Sequence, residues 1–113
     1  MKELKDKNMK NKSLIIALLL MGIGLSAKDS LAIKVFQTYC WGCHHQTAQA
    51  FAPSFRFIAN HRTRAQILAQ ILDSESSFKR LGYKINSMPS FSDLNTSELN
   101  AIVAYIQSYK DKK

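Results

Sequence analysis

Cys40-Trp41-Gly42-Cys43-His44 is the one stretch of this 113-residue chain whose residue types and spacing specify chemistry. It reads C-x-x-C-H, the attachment pattern for a c-type haem. Two thiols three positions apart sit on one side of a helical turn and can both reach the vinyl groups of one porphyrin to form thioethers. The histidine directly after the second thiol can turn its imidazole onto the iron. Gly42 lets the backbone approach a flat ring without a side chain in the way. Cys40 and Cys43 are the only cysteines, so an exported chain of this kind has no disulfide framework to lean on.

The length allows one domain, and the charge is uneven. Lys2, Lys5, Lys7, Lys10 and Lys12 crowd the start, Leu14 to Met21 form an apolar run, and small residues follow through Gly22, Gly24, Ser26 and Ala27. A basic region, a short apolar region and a small-residue end describe a secretory signal peptide over 1–27, cleaved after Ala27. The apolar run falls short of the roughly 20 residues of a membrane span. A retained segment would instead act as an N-terminal membrane tether. Removing those five lysines with Glu3 and Asp6 takes the formal charge from +8 to +5. A net charge this small on an exported domain (28–113) argues against a nucleic-acid partner and suits docking on acidic protein patches.

Elements must position the motif, and all of them read as helical. Leu31, Val35, Phe36 and Tyr39 form a stripe over 31–39 that delivers Cys40, with Asp29 or Ser30 as its cap. Residues 45–61 read as an extended, aromatic-rich loop around Pro53, with Phe51, Phe55 and Phe57 seeking something flat to pack on. Thr63 and Gln66 form a capping box ahead of Ile67, Leu68, Ile71 and Leu72, so a helix covers about 63–73. Residues 73–86 read as a polar loop with Ser74, Ser76, Ser77 and Gly82 as breakers, and 87–90 as a turn. Asn95 caps the last helix, with Glu98 at its third position and Leu99, Ile102, Val103 and Ile106 on one face. No strand pattern competes. The fold class is all-α, with three or more helices wrapped around a single covalent haem. A mature chain this short gains from such an apolar body at its centre.

Phe36-x-x-x-Cys40-x-x-Cys43-His44, Met88-Pro89 and the closing helix with Ile102-Val103-Ala104-Tyr105-Ile106, in that order, resemble the class I c-type cytochromes. The resemblance covers nearly all of 31–109. It implies one haem c held by Cys40 and Cys43, with His44 as proximal and Met88 as distal iron ligand. Pro53 matches the family's loop proline, whose carbonyl accepts from the proximal histidine. The chemistry agrees, since a soft neutral thioether favours ferrous iron and raises the potential. A methionine can also simply fill a gap, but Met88 lies outside either periodic helix, and Met1, Met9 and Met21 all fall in the signal region. One departure is Ala32, where the family often has a glycine at the crossing of its first and last helices.

His45 and His61 are the rival ligands; the first should point away from its neighbour His44, and the second sits beside Arg62 and Arg64. Arg56, Arg62, Arg64, Lys79, Arg80 and Lys84 read as a basic surface, some of it ringing the haem edge to steer acidic redox partners. With both axial positions filled no site is open for substrate, so the expected function is one-electron transfer in the periplasm rather than catalysis. Three other readings compete: a fixed haem subunit of a dehydrogenase or oxidase complex, a thiol–disulfide oxidoreductase using Cys40 and Cys43, and a structural zinc site from the cysteines and histidines.

Overall fold

The computed structural model describes residues 27–112. The export-signal reading therefore concerns a segment outside the described residues, apart from Ala27. The order of elements is α1 (Ala27–Val35), a five-residue π-helical turn (Phe36–Cys40), α2 (Phe55–His61), α3 (Arg64–Leu72), the single turn α4 (Ser74–Ser77) and α5 (Thr96–Gln107). Among the described residues there is no strand, only an isolated bridge between Trp41 and His44. The all-α expectation holds. No helix of the described residues is long and apolar enough to cross a membrane.

α5 is the spine. Asn95 accepts from the Glu98 amide at 2.8 Å, and the Glu98 carboxylate accepts from the Asn95 amide at 3.1 Å, which satisfies two of the free amides at the helix start. Ala101, Ile102, Val103 and Ile106 are buried at helical spacing. α1 lies against α5 and buries Ala32 and Val35, while α2 and α3 pack on other parts of α5. Val35, Phe36, Phe55, Ile67, Ile71, Ile102, Val103 and Ile106 form one core. Ala32 is 3% exposed, so the methyl that stands in place of the family's glycine is accommodated within the crossing.

Three local expectations need correction. Asp29 and Ser30 lie inside α1, so neither caps it at the expected point. The stretch 45–61 is not all extended loop: Ser54 caps α2 by accepting from the Phe57 amide at 3.1 Å, and Phe55 and Ala59 are buried one turn apart. The phenylalanines thus separate in role, with Phe55 in the core and Phe57 stacked on His61 at 4.1 Å between ring centroids. Finally, 73–86 opens with a helical turn that Asp73 caps, and Ser74 and Ser77 are buried in it.

Candidate functional site

The path of the chain into the motif widens just before it. The α1 ladder gives way to the π turn, and the Trp41 amide donates to the Phe36 carbonyl at 2.8 Å, five residues back. Such turns recur at functional sites because they re-aim side chains without breaking the helix. The His44 amide then returns to the Cys40 carbonyl at 3.1 Å, which closes the loop of the motif. Gly42 has φ +100°, a conformation that L side chains rarely adopt, so glycine is required at the middle of this loop. No disulfide joins the cysteines, and Cys40 is half-buried and Cys43 exposed.

Residues 45–55 fold back over the motif. The Ala52 amide donates to the Cys43 carbonyl at 2.8 Å, and the Phe55 amide to the His45 carbonyl at 3.0 Å. This brings the Pro53 carbonyl to 2.7 Å from His44 Nδ1. A carbonyl can only accept, so Nδ1 carries the proton and Nε2 keeps its lone pair, which is the form of imidazole that binds a metal. Burial of the ring pushes the His44 pKa down and the Pro53 bond acts in the opposite sense. Phe55, 1% exposed, backs the imidazole at 5.5 Å between ring centroids.

Cys40, Cys43, His44, Pro53 and Met88 all line one cavity of about 450 Å³. Ile67 and Ile71 of α3, Ile106 of α5 and Phe55 supply apolar walls, and Phe51 and Ile85 stand at its exposed rim. Two thiols, a neutral imidazole and a thioether around apolar walls are the donor set of a covalently held haem, and a cavity of this size matches those that enclose organic cofactors. The residues present fit the group.

The rival ligands are elsewhere. His45 Nδ1 accepts from the Thr47 and Ala48 amides at 3.1 and 2.9 Å, so it shapes its own turn. His61 borders a separate groove with Thr63, Arg64 and Lys110 and bonds the Phe57 carbonyl at 2.9 Å. The basic residues also divide. Arg56 pairs with Asp111 at 2.8 Å and Arg64 donates to Asn100 at 2.9 Å, both away from the cavity. Arg62 does line it, donating to the Leu81 carbonyl at 3.0 Å with its guanidinium over the Tyr83 ring. Trp41 is exposed and meets Phe36 edge-on at 5.9 Å.

Thiol and zinc chemistry are poorly served. Burial, and then the neighbouring Cys43, push the Cys40 thiol up to about 11, whereas a dithiol enzyme needs a lowered one. Among the described residues no cluster of three or more histidine, cysteine or acidic side chains could hold a metal ion.

Two site residues escaped the sequence reading. Gln70 of α3 brings Nε2 to 3.7 Å from the Met88 sulfur, and its Oε1 is buried with no partner. Ser74, read there as a breaker, is fully buried and donates to the Met88 carbonyl at 2.6 Å. Gln70 falls at i+3 from Ile67, on the apolar stripe of α3, whereas Ser74 lies past the break at Asp73 and opens α4.

In comparisons with known proteins, the cytochrome c family model matches residues 32–110. No curated protein and no solved structure matched the chain.

Proposed function

Because the chain belongs to the cytochrome c family, a family of haem-based electron carriers, we propose that it is a periplasmic one-electron carrier with a single haem c in His/Met ligation. The observation that carries this reading is the convergence of Cys40, Cys43, His44 and Met88 on one apolar cavity. The bound haem would supply the one-electron couple of its iron.

Everything else is the work of the chain. Cys40 and Cys43 would hold the porphyrin by thioethers, and His44 would ligate through Nε2. Its Nδ1 proton on the Pro53 carbonyl fixes the tautomer and the ring plane and makes the imidazole a better donor. Met88 would be the second iron ligand, with a soft sulfur that favours the reduced state. The apolar walls exclude water and so oppose the charge gained on oxidation, which acts in the same direction. The exposed Phe51 and Ile85 at the rim of the cavity are where an electron would enter or leave.

Lys79, Arg80 and Lys84 are exposed on the segment that takes Leu81, Tyr83 and Ile85 to the cavity, which suits encounter with acidic redox partners. Export through the 1–27 signal accounts for the periplasmic setting in which haem c is attached. The test is a denatured mass with a potentiometric titration of the protein from a periplasmic fraction. One added haem per chain and a reversible one-electron wave are expected. An unmodified mass with two titratable thiols would overturn the reading.

A further inference from the structure

The segment that carries Met88 belongs to no helix or strand, yet it is tied down atom by atom. The Met88 amide donates to Asn86 Oδ1 at 3.2 Å, and the Met88 carbonyl accepts from Ser74 Oγ at 2.6 Å. Asn86 Nδ2 donates in turn to Ser74 Oγ at 3.1 Å and to Glu75 at 3.1 Å. The directions are forced. A carbonyl only accepts, so the single Ser74 hydroxyl proton points at Met88, and its lone pair is what receives the Asn86 amide. The two polar backbone groups of Met88 are thus joined through Asn86 and Ser74 into one closed ring of hydrogen bonds. The outer ties are the Ser74 amide to Ser90 Oγ at 3.1 Å and the Phe91 amide to the Ile71 carbonyl at 2.7 Å. Ser74 has no exposed surface, so water cannot replace what it donates.

A methionine side chain is long, flexible and a weak neutral donor. Its own geometry does little to keep sulfur at a fixed point, and the backbone anchor must do it. Taking Met88 as the distal ligand, as above, we infer that Ser74 is the positioning residue that holds Met88 in place, and that it sets how readily the distal site opens to a small ligand from solution. Ser74 does not line the cavity and reaches Met88 through the Met88 carbonyl. Loss of its hydroxyl removes the side-chain donor to that carbonyl and breaks the ring at its fully buried member. Such a loss should favour the open state about tenfold, the equivalent of about 1.4 kcal/mol.

The test uses the purified ferric holoprotein with imidazole as probe. Binding of imidazole is read by loss of the methionine–sulfur charge-transfer band, in wild type, Ser74→Ala, Asn86→Ala and Ser77→Ala. Ser77 is buried in the same short helix but makes no side-chain bond to the Met88 segment, so it reports any general loosening of α4. Ser74→Ala should bind imidazole at least about tenfold more tightly than wild type, Asn86→Ala should move the same way by less, and Ser77→Ala should stay within about twofold. Equal affinities for Ser74→Ala and Ser77→Ala in a protein whose wild type shows the band would overturn the role of Ser74 while leaving the ligand assignment intact. A wild type without the band would remove Met88 as ligand and the inference with it. If Ser74→Ala does not accumulate with haem, Asn86→Ala carries the comparison, and affinity no tighter than that of Ser77→Ala is the contrary result.

Discussion

Replacing Phe55 by alanine should be the most damaging single change behind the motif. The ring is 1% exposed and meets Phe36 at 5.3 Å, Tyr105 at 6.1 Å and His44 at 5.5 Å between ring centroids, so it joins the π turn, α5 and the imidazole through one side chain. The lost transfer energy is about 1.5–3 kcal/mol, and the hole left among side chains fixed by α1 and α5 raises the total to about 3–5 kcal/mol. At about 4 °C or more per kcal/mol for a domain of this size, Tm should fall by at least about 12 °C. Phe55→Leu keeps most of the volume and should cost about 1.5 kcal/mol or less. Urea and thermal denaturation of holoprotein followed by far-ultraviolet circular dichroism would measure both. Equal losses for the two variants, or a loss under about 1.5 kcal/mol for alanine, would refute the claim that this ring is the packed backing of His44.

Gly42→Ala should lose about 1–3 kcal/mol through backbone strain alone, because φ is +100° and the added methyl would meet nothing within 4 Å; chemical denaturation measures it. Asn95→Ala removes the cap of α5 and should cost about 1 kcal/mol by the same assay. Pro53→Ala keeps the carbonyl that His44 uses, so the haem spectrum should be unchanged while stability falls by about 0.4–1 kcal/mol through unfolded-state entropy. Desolvation, and then its hydrogen bond to the Tyr105 hydroxyl, push the Tyr109 hydroxyl up to about 12 from its ordinary 10.0. The folded state therefore holds this proton more tightly, and the associated stability is present below pH 10 and lost as pH rises towards about 12. Tyr109→Phe should flatten the alkaline limb of a stability–pH profile, and an unchanged limb would contradict the assignment.

How much of this was legible in the sequence depended on the kind of signal. Both capping boxes, at Thr63 and Asn95, formed as read, because side chain and backbone satisfy each other within four residues and need no tertiary help. The stripes on α3 and α5 were equally plain, since their apolar residues recur at the helical period. α2 was hidden by Pro53 and by clustered aromatics that suggested a loop, although Ser54 ahead of Phe55, Ile58 and Ala59 was a cap followed by a stripe. The π turn over Phe36–Cys40 left no trace in composition. At the site, the cysteines and His44 were legible from spacing alone. The contacts of Gln70 and Ser74 were not, because their partner is Met88, eighteen and fourteen positions away, even though the spacing of Gln70 puts it on the apolar stripe of α3.

His44 and Met88 line one cavity, and we propose that both ligate one covalent haem. The most direct measurement is the ferric absorption spectrum of wild type beside Met88→Ala and His61→Ala. A methionine–sulfur charge-transfer band is expected in wild type and His61→Ala, and its loss in Met88→Ala. A band absent from wild type, or a spectrum altered by His61→Ala and untouched by Met88→Ala, would contradict it.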